Sequence, residues 1–157
     1  MLDDTIPGIL FDENGVANYC RIYEKLTERY PRGAGGKREW EAILENVKTA
    51  GAGKKYDCIV GISGGTDSCY LLHAAVEQGL RPLAVYLDNG WGSEISVSNI
   101  KKMTSALKID LETYVIDYEE LKNILRAYMQ AGLPWIDAPT DIAIRSTVYR
   151  VAAREKI

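Results

Sequence analysis

The apolar positions of the chain change period as it runs. Tyr19, Ile22, Tyr23, Leu26 and Tyr30 recur at helical spacing. Pro31 and the glycines of Arg32-Gly33-Ala34-Gly35-Gly36 are expected to stop that helix. Trp40, Ile43, Leu44 and Val47, at i, i+3, i+4 and i+7, predict a second one, closed by Gly51-Ala52-Gly53. The pattern then becomes short, continuous and partly β-branched. Asp57-Cys58-Ile59-Val60-Gly61-Ile62 reads as a strand buried on both faces, as in a parallel sheet. A helix is predicted from about Asp67 to Gln78, with Cys69, Leu72, Ala75 and Val76 on its apolar side, Leu71 alongside, and Gly79 closing it. Pro82–Leu87 is a second buried strand, running into Asp88-Asn89-Gly90-Trp91-Gly92. Ser93, with Glu94 behind it, predicts an N-cap for a helix burying Val97, Ile100, Met103, Thr104 and Leu107. Leu111 to Ile116 is a third strand. Helical segments over about 118–131 and 141–155 follow, split by Gly132-Leu133-Pro134 and Pro139.

Strand, helix, strand, helix, strand predicts an α/β domain with a parallel sheet of at least three strands flanked by helices. Residues 1–54 form an N-terminal extension: an irregular lead-in with turn chemistry at Thr5–Gly8 and Asp12–Gly15, then two helices. Residues 55–157 carry the sheet. In such sheets ligands bind beyond the carboxyl ends of the strands, which here are Ser63 and Asp88. Two candidate loops are therefore expected on one rim.

Composition narrows the function classes. The net charge of -3 gives no electrostatic case for nucleic acid or an anionic membrane surface. No apolar run approaches the roughly 20 residues of a membrane span, and the N-terminus lacks a signal-peptide pattern, so a cytoplasmic location is expected. Three cysteines, Cys20, Cys58 and Cys69, fit reduced thiols better than a disulfide framework. One histidine, His73, argues against a histidine-rich metal centre.

The segment Ser63-Gly64-Gly65-Thr66-Asp67-Ser68 is the strongest chemical signal. Gly64 and Gly65 allow positive φ and remove Cβ atoms, so the backbone can wrap an anion. The N–H groups of Thr66, Asp67 and Ser68 open a helix, where the dipole favours negative charge. Ser63, Thr66 and Ser68 add hydroxyl donors. Asp67 opposes a phosphate unless a divalent cation is shared between them. The Gly-Lys-Ser/Thr of kinase and GTPase loops is missing, since Gly53-Lys54-Lys55 lacks the hydroxyl residue and precedes the strand.

Ser-Gly-Gly-x-Asp-Ser after a buried strand resembles the PP-loop of the adenine nucleotide alpha-hydrolase superfamily, whose enzymes cleave ATP between its α and β phosphates. Asp88-Asn89-Gly90, about twenty residues further on, is similar to the segment flanking adenosine in members of the GMP-synthetase type. Further segments resemble the N-acetyl sugar amidotransferases of bacterial surface-polysaccharide (lipopolysaccharide) synthesis: Asp4–Ile9, Phe11–Val16, Tyr56–Gly61, Gly79–Val85, Asp88–Trp91 and Pro139–Ile144. The resemblance spans nearly the whole chain. It implies ATP and Mg²⁺, an acetamido sugar that is adenylylated with release of pyrophosphate, and ammonia from a separate glutaminase subunit that displaces AMP. It implies that Ser63, Gly64, Gly65, Thr66 and Ser68 bind pyrophosphate, that Asp67 places Mg²⁺, and that Asp88, Asn89 and Gly90 hold adenosine. Asp141 and Arg145 are the candidates for the sugar or the adenylate, and Trp91 for stacking on a ring. Against these stand an N-cap role for Asp141, a solvated helix position for Arg145 and a core position for Trp91.

The sequence departs from the family twice. Ala17 stands where a cysteine of a zinc site is expected, leaving only Cys20, so no structural zinc is expected. The lead-in would then be held by packing of the Tyr/Ile helix alone. A complete family domain has at least two more strands, the fourth beside the first. The chain therefore reads as the N-terminal part of such a domain, either a fragment with further catalytic residues beyond Ile157 or a natural half completed by another chain, with strand one an apolar edge. The alternatives are another ligase of the superfamily, such as a tRNA-modifying one, or a non-catalytic nucleotide-binding fragment. A homo-oligomer remains open.

Overall fold

The computed structural model describes residues 3–157. They form two compact units, one up to Ile43 and one over Leu44–Ile157. The first holds helix α1 (Asn18–Arg29) and most of helix α2 (Gly33–Ala50). Its lead-in is tied by Asp12, whose Oδ1 accepts from the Asn14 and Val16 amides and whose Oδ2 accepts from Arg21, while Phe11 bridges Ala17. The turn chemistry at Asp12–Gly15 is thus realised. The helix packing expected of this segment is not: α1 buries no residue, and Ile22 and Tyr23 are about half exposed. The glycines after Pro31 also play a different part. They do not stop α1, which ends at Arg29 with Tyr30 as its cap ahead of Pro31; they form the first turn of α2, which begins at Gly33.

The second unit follows the order β1 (Cys58–Gly61), α3 (Thr66–Glu77), β2 (Pro82–Asp88), α4 (Glu94–Leu107), β3 (Leu111–Val115), α5 (Tyr118–Gln130), α6 (Ala138–Glu155). The three strands are parallel in the order β1-β2-β3, with Val60 opposite Ala84 and Leu87 opposite Tyr114. Successive side chains of a strand leave on opposite faces, and the core divides accordingly. Val60, Ala84 and Tyr86 pack with Leu44 of α2, Cys69, Leu72 and Ala75 of α3, and Ile100 of α4. Ile59, Leu83 and Val85 meet Val148 and Val151 of α6 on the other face. Helices thus cover both faces of β2, the buried centre of the sheet.

Among the described residues β1 and β3 are the edges of the sheet, as expected for strand one. β1 was expected to be covered on both faces, yet of its residues only Val60 is fully buried and Gly61 is exposed. β3 is exposed along most of its length. On α4, Ile100 and Thr104 are buried, whereas Val97 faces outward at 47% exposure. Among the described residues no helix is long and apolar enough to cross a membrane.

Candidate functional site

Parallel strands bring both candidate loops to the carboxyl end of the sheet. Ser63–Gly65 joins β1 to α3, and Asn89–Ser93 joins β2 to α4. Gly64 has φ +78, and a Cβ built on it would overlap the Ser96 carbonyl oxygen of α4. Only glycine fits that position. Gly65 differs from the expectation of positive φ: it sits at φ -80, ψ 165, extended backbone that any residue adopts, as the residue preceding α3. Its side chain is missing where the loop faces outward, which leaves open space beside Ser63 Oγ.

The hydroxyls stabilise the loop from within. Ser68 Oγ donates to the Gly65 carbonyl at 3.2 Å, accepts from the Ser63 amide at 3.1 Å, and lies 3.1 Å from Ser63 Oγ. The helical ladder of α3 starts with the Cys69 amide on the Gly65 carbonyl. The N–H groups of Thr66, Asp67 and Ser68 therefore have no partner among the described residues. Three open donors at the positive end of a 12-residue helix have the chemistry to seat an anion.

A cavity of about 500 Å³ opens beside this seat. Ser63 and Ser68 line it from the first loop, Asn89 and Trp91 from the second, with Tyr86 and Ile144 as walls. Burial, and then the nearby charge of Asp88, pushes the Tyr86 phenol above its ordinary value, so this wall stays neutral. The second loop is held by its own side chains. Asp88 Oδ1 accepts from the Gly90 amide and Asn89 Oδ1 from the Trp91 amide, each at 3.0 Å. The Asp88 carbonyl accepts from the Ile116 amide, which anchors the turn to the end of β3. Gly90, at φ +78, lets the turn pass close to the Tyr118 ring. Ser93 caps α4, its Oγ accepting from the Ser96 amide at 3.1 Å.

The remaining candidates are spread more widely. Trp91 is 62% exposed and stands 6.0 Å from the Tyr118 ring, so it is a wall between cavities and not a core aromatic. Behind it a second cavity of about 390 Å³ shares Asn89 and Trp91 and is lined further by Met129, Asp137, Thr140 and Asp141. Asp141 is not the cap of α6. That place falls to Asp137, one turn earlier, and the Asp141 amide already makes the helical bond to its carbonyl. Arg145 is exposed on α6, lines neither cavity and has no ion pair among the described residues. Asp67 points to solvent from the first turn of α3.

Among the described residues no three or more His, Cys, Asp or Glu side chains gather as a metal site. A lone carboxylate beside an anion seat does suit Mg²⁺ that takes most of its ligands from phosphate oxygens and water. Sequence reasoning missed Tyr86, Ile144 and Asn99. Tyr86 was legible in principle from the alternation along β2. Asn99 carries no local signal, because its partner is the Gly64 carbonyl, reached at 3.1 Å from α4.

No family model matches the chain. An uncharacterized protein of Methanocaldococcus jannaschii is 37% identical over 86 residues, which are 54% of this chain and 30% of that protein. Among solved structures, an NMN synthetase from Francisella tularensis superposes with a TM-score of 0.54 at 20% identity, over 75% of this chain and 50% of that one. An NH3-dependent NAD synthetase from Campylobacter jejuni gives 0.52 at 16% identity, over 73% and 51%. The chain spans less than a third of its curated relative and about half of each synthetase. Over about three quarters of its length the chain therefore shares the α/β parallel-sheet fold of about half of each of those two synthetases.

Proposed function

We propose that this chain binds ATP, with its phosphates on the Ser63–Ser68 loop and its adenosine in the cavity walled by Asn89 and Trp91, as part of a ligase that forms AMP and pyrophosphate. One observation carries this reading: the open amides of Thr66, Asp67 and Ser68 and an uncharged cavity of nucleoside size lie side by side on one rim. The amides and the Ser63 and Ser68 hydroxyls would take the β and γ phosphates. Asp88, Asn89 and Gly90 would shape the adenosine turn. Asp67 would hold Mg²⁺, which when bound neutralises phosphate charge as pyrophosphate leaves.

The finer reading is amidotransfer to an acetamido sugar, in surface-polysaccharide synthesis. The acetamido oxygen attacks the α-phosphorus and pyrophosphate departs. Ammonia from a glutaminase partner then adds to the activated carbon, the C–O bond breaks so that AMP leaves carrying the former acetamido oxygen and the bonding pair, and the lost protons pass to water. An acetamidino group results. Activation of this kind turns a poor leaving group into a good one before a weak nucleophile arrives. Asp141, whose cavity adjoins the adenosine cavity, would face the acceptor; Arg145 is proposed for the same role on its position in α6 alone. One structural neighbour, the NAD synthetase, is NH3-dependent, which favours ammonia as nucleophile.

Pyrophosphate–ATP exchange tests both levels with the full-length protein and Mg²⁺. Exchange that depends on an acetamido sugar nucleotide is the expected result. Exchange that requires a pyridine-nucleotide carboxylate instead would keep the ligase and discard the sugar. No exchange together with no ATP binding would discard both.

Asp67→Ala is expected to weaken Mg²⁺-dependent ATP affinity by roughly tenfold, the scale of one lost charge-assisted contact. Titration with and without Mg²⁺ checks this. An affinity gap between the two conditions that survives in the variant rules out the metal role.

A further inference from the structure

Helix α4 connects the two candidate loops. It starts directly after the Ser93 cap that closes the second loop, and its first turns run beside Gly64. Two of its residues act on the same peptide. The Ser96 carbonyl occupies the space left by the missing Cβ of Gly64, and Asn99 Nδ2 donates to the Gly64 carbonyl at 3.1 Å. Positions i and i+3 share a helix face, so both contacts come from one side of α4.

The consequence follows from peptide geometry. A peptide unit is a rigid plane, and in the trans form its C=O and N–H point in opposite directions. No cis peptide occurs among the described residues. When Asn99 holds the Gly64 oxygen toward α4, it turns the Gly65 N–H away from α4, toward Ser63 Oγ and the mouth of the loop. That N–H reaches Ser63 Oγ only at a long 3.4 Å, so most of its donor capacity is free. The opposite orientation of the Asn99 amide would set two carbonyl oxygens against each other.

We propose that Asn99 is a positioning residue for polyphosphate: it aims the Gly65 N–H at the ligand and, through α4, ties the phosphate loop to the adenosine loop. This rests on the ATP-binding reading above. Three ligands separate positioning from mere stability, since pyrophosphate and ATP use the loop and AMP does not present β and γ phosphates to it. Two variants are compared with wild type, Asn99→Ala and the isosteric Asn99→Asp, which keeps the shape but loses the donor.

Calorimetric titration should show ATP and pyrophosphate affinity falling about tenfold in both variants, and AMP affinity changing less than about twofold. Urea midpoints measured alongside should stay close to wild type. Unchanged pyrophosphate and ATP affinity overturns the inference, and so does an equal loss for all three ligands. If wild type binds AMP and ATP while both variants match it, the ATP reading stands and Asn99 is not its positioning residue. If wild type binds none of the three, both readings fall.

Discussion

Gly64→Ala should lower ATP affinity by about tenfold, because the loop must move to accept the side chain. The native φ of +78 is a region that L side chains enter at about 1–2 kcal/mol. The new methyl would also collide with the Ser96 carbonyl, and α4 or the loop must yield. Either movement alters the direction of the amides that open α3. The neighbouring Gly65→Ala is the control for stability. Its backbone is already extended, and its Cβ would lie 3.5 Å from Ser63 Oγ, an ordinary contact. Urea denaturation should separate the two variants, with Gly64→Ala markedly weakened and Gly65→Ala near wild type. Equal midpoints and equal ATP affinity for wild type and Gly64→Ala would refute this account of the loop.

Asp57→Ala should be the most destabilising single change at the far end of the sheet, at about 2–3 kcal/mol for a buried carboxylate with charged donors. The Asp57 side chain is 3% exposed. It accepts from the Arg81 amide at 2.9 Å and from Arg81 Nε and Nη2. Arg81 also donates to the carbonyls of Gly51 and Lys54. One guanidinium thus joins the end of α2, the approach to β1 and the start of β2. These groups lie opposite the loops, so ATP affinity should not change, and that separates a structural from a binding role. The Arg81 side chain beside it holds the Asp57 carboxyl below the ordinary carboxylate range, against the opposing effect of burial. A depressed folded value means stability that is fully present above the unfolded value of about 4 and is lost as pH falls through the folded one. The stability gap between wild type and Asp57→Ala should therefore be full at pH 7 and narrow steadily below about pH 4. A gap that does not change with pH would show that packing, not charge, sets the effect.

Several elements were legible in the sequence because their signals are local. Ser93 caps α4 through its own Oγ, and Gly79, at φ +76, follows the end of α3. The loop at Ser63–Ser68 was legible for the same reason: glycines, hydroxyls and a helix start all act within a few residues. Continuous apolar runs were less informative. They announced β1 and β2 as equally buried, yet β2 is buried along most of its length and β1 only at Val60, since burial depends on which strands and helices come to lie beside them. The stripe of α1 is a second case, because periodicity describes a face and not what covers it.

What the sequence by itself determined is the α/β class, the order of elements and the place of the glycine- and hydroxyl-rich loop between β1 and α3, since each follows from period, capping and backbone freedom over short spans. The tertiary structure alone decided which distant residues meet. It set Tyr86 and Ile144 around one cavity with both loops, placed Asp141 in a neighbouring cavity one turn inside α6, and left Arg145 outside both. It also brought Asn99 to a carbonyl 35 residues away. The physical reason is that a hydrogen bond to a backbone oxygen leaves no pattern in the sequence of either partner. The Ser63–Ser68 loop can be read from its residues, but the bond from Asn99 to its Gly64 carbonyl cannot.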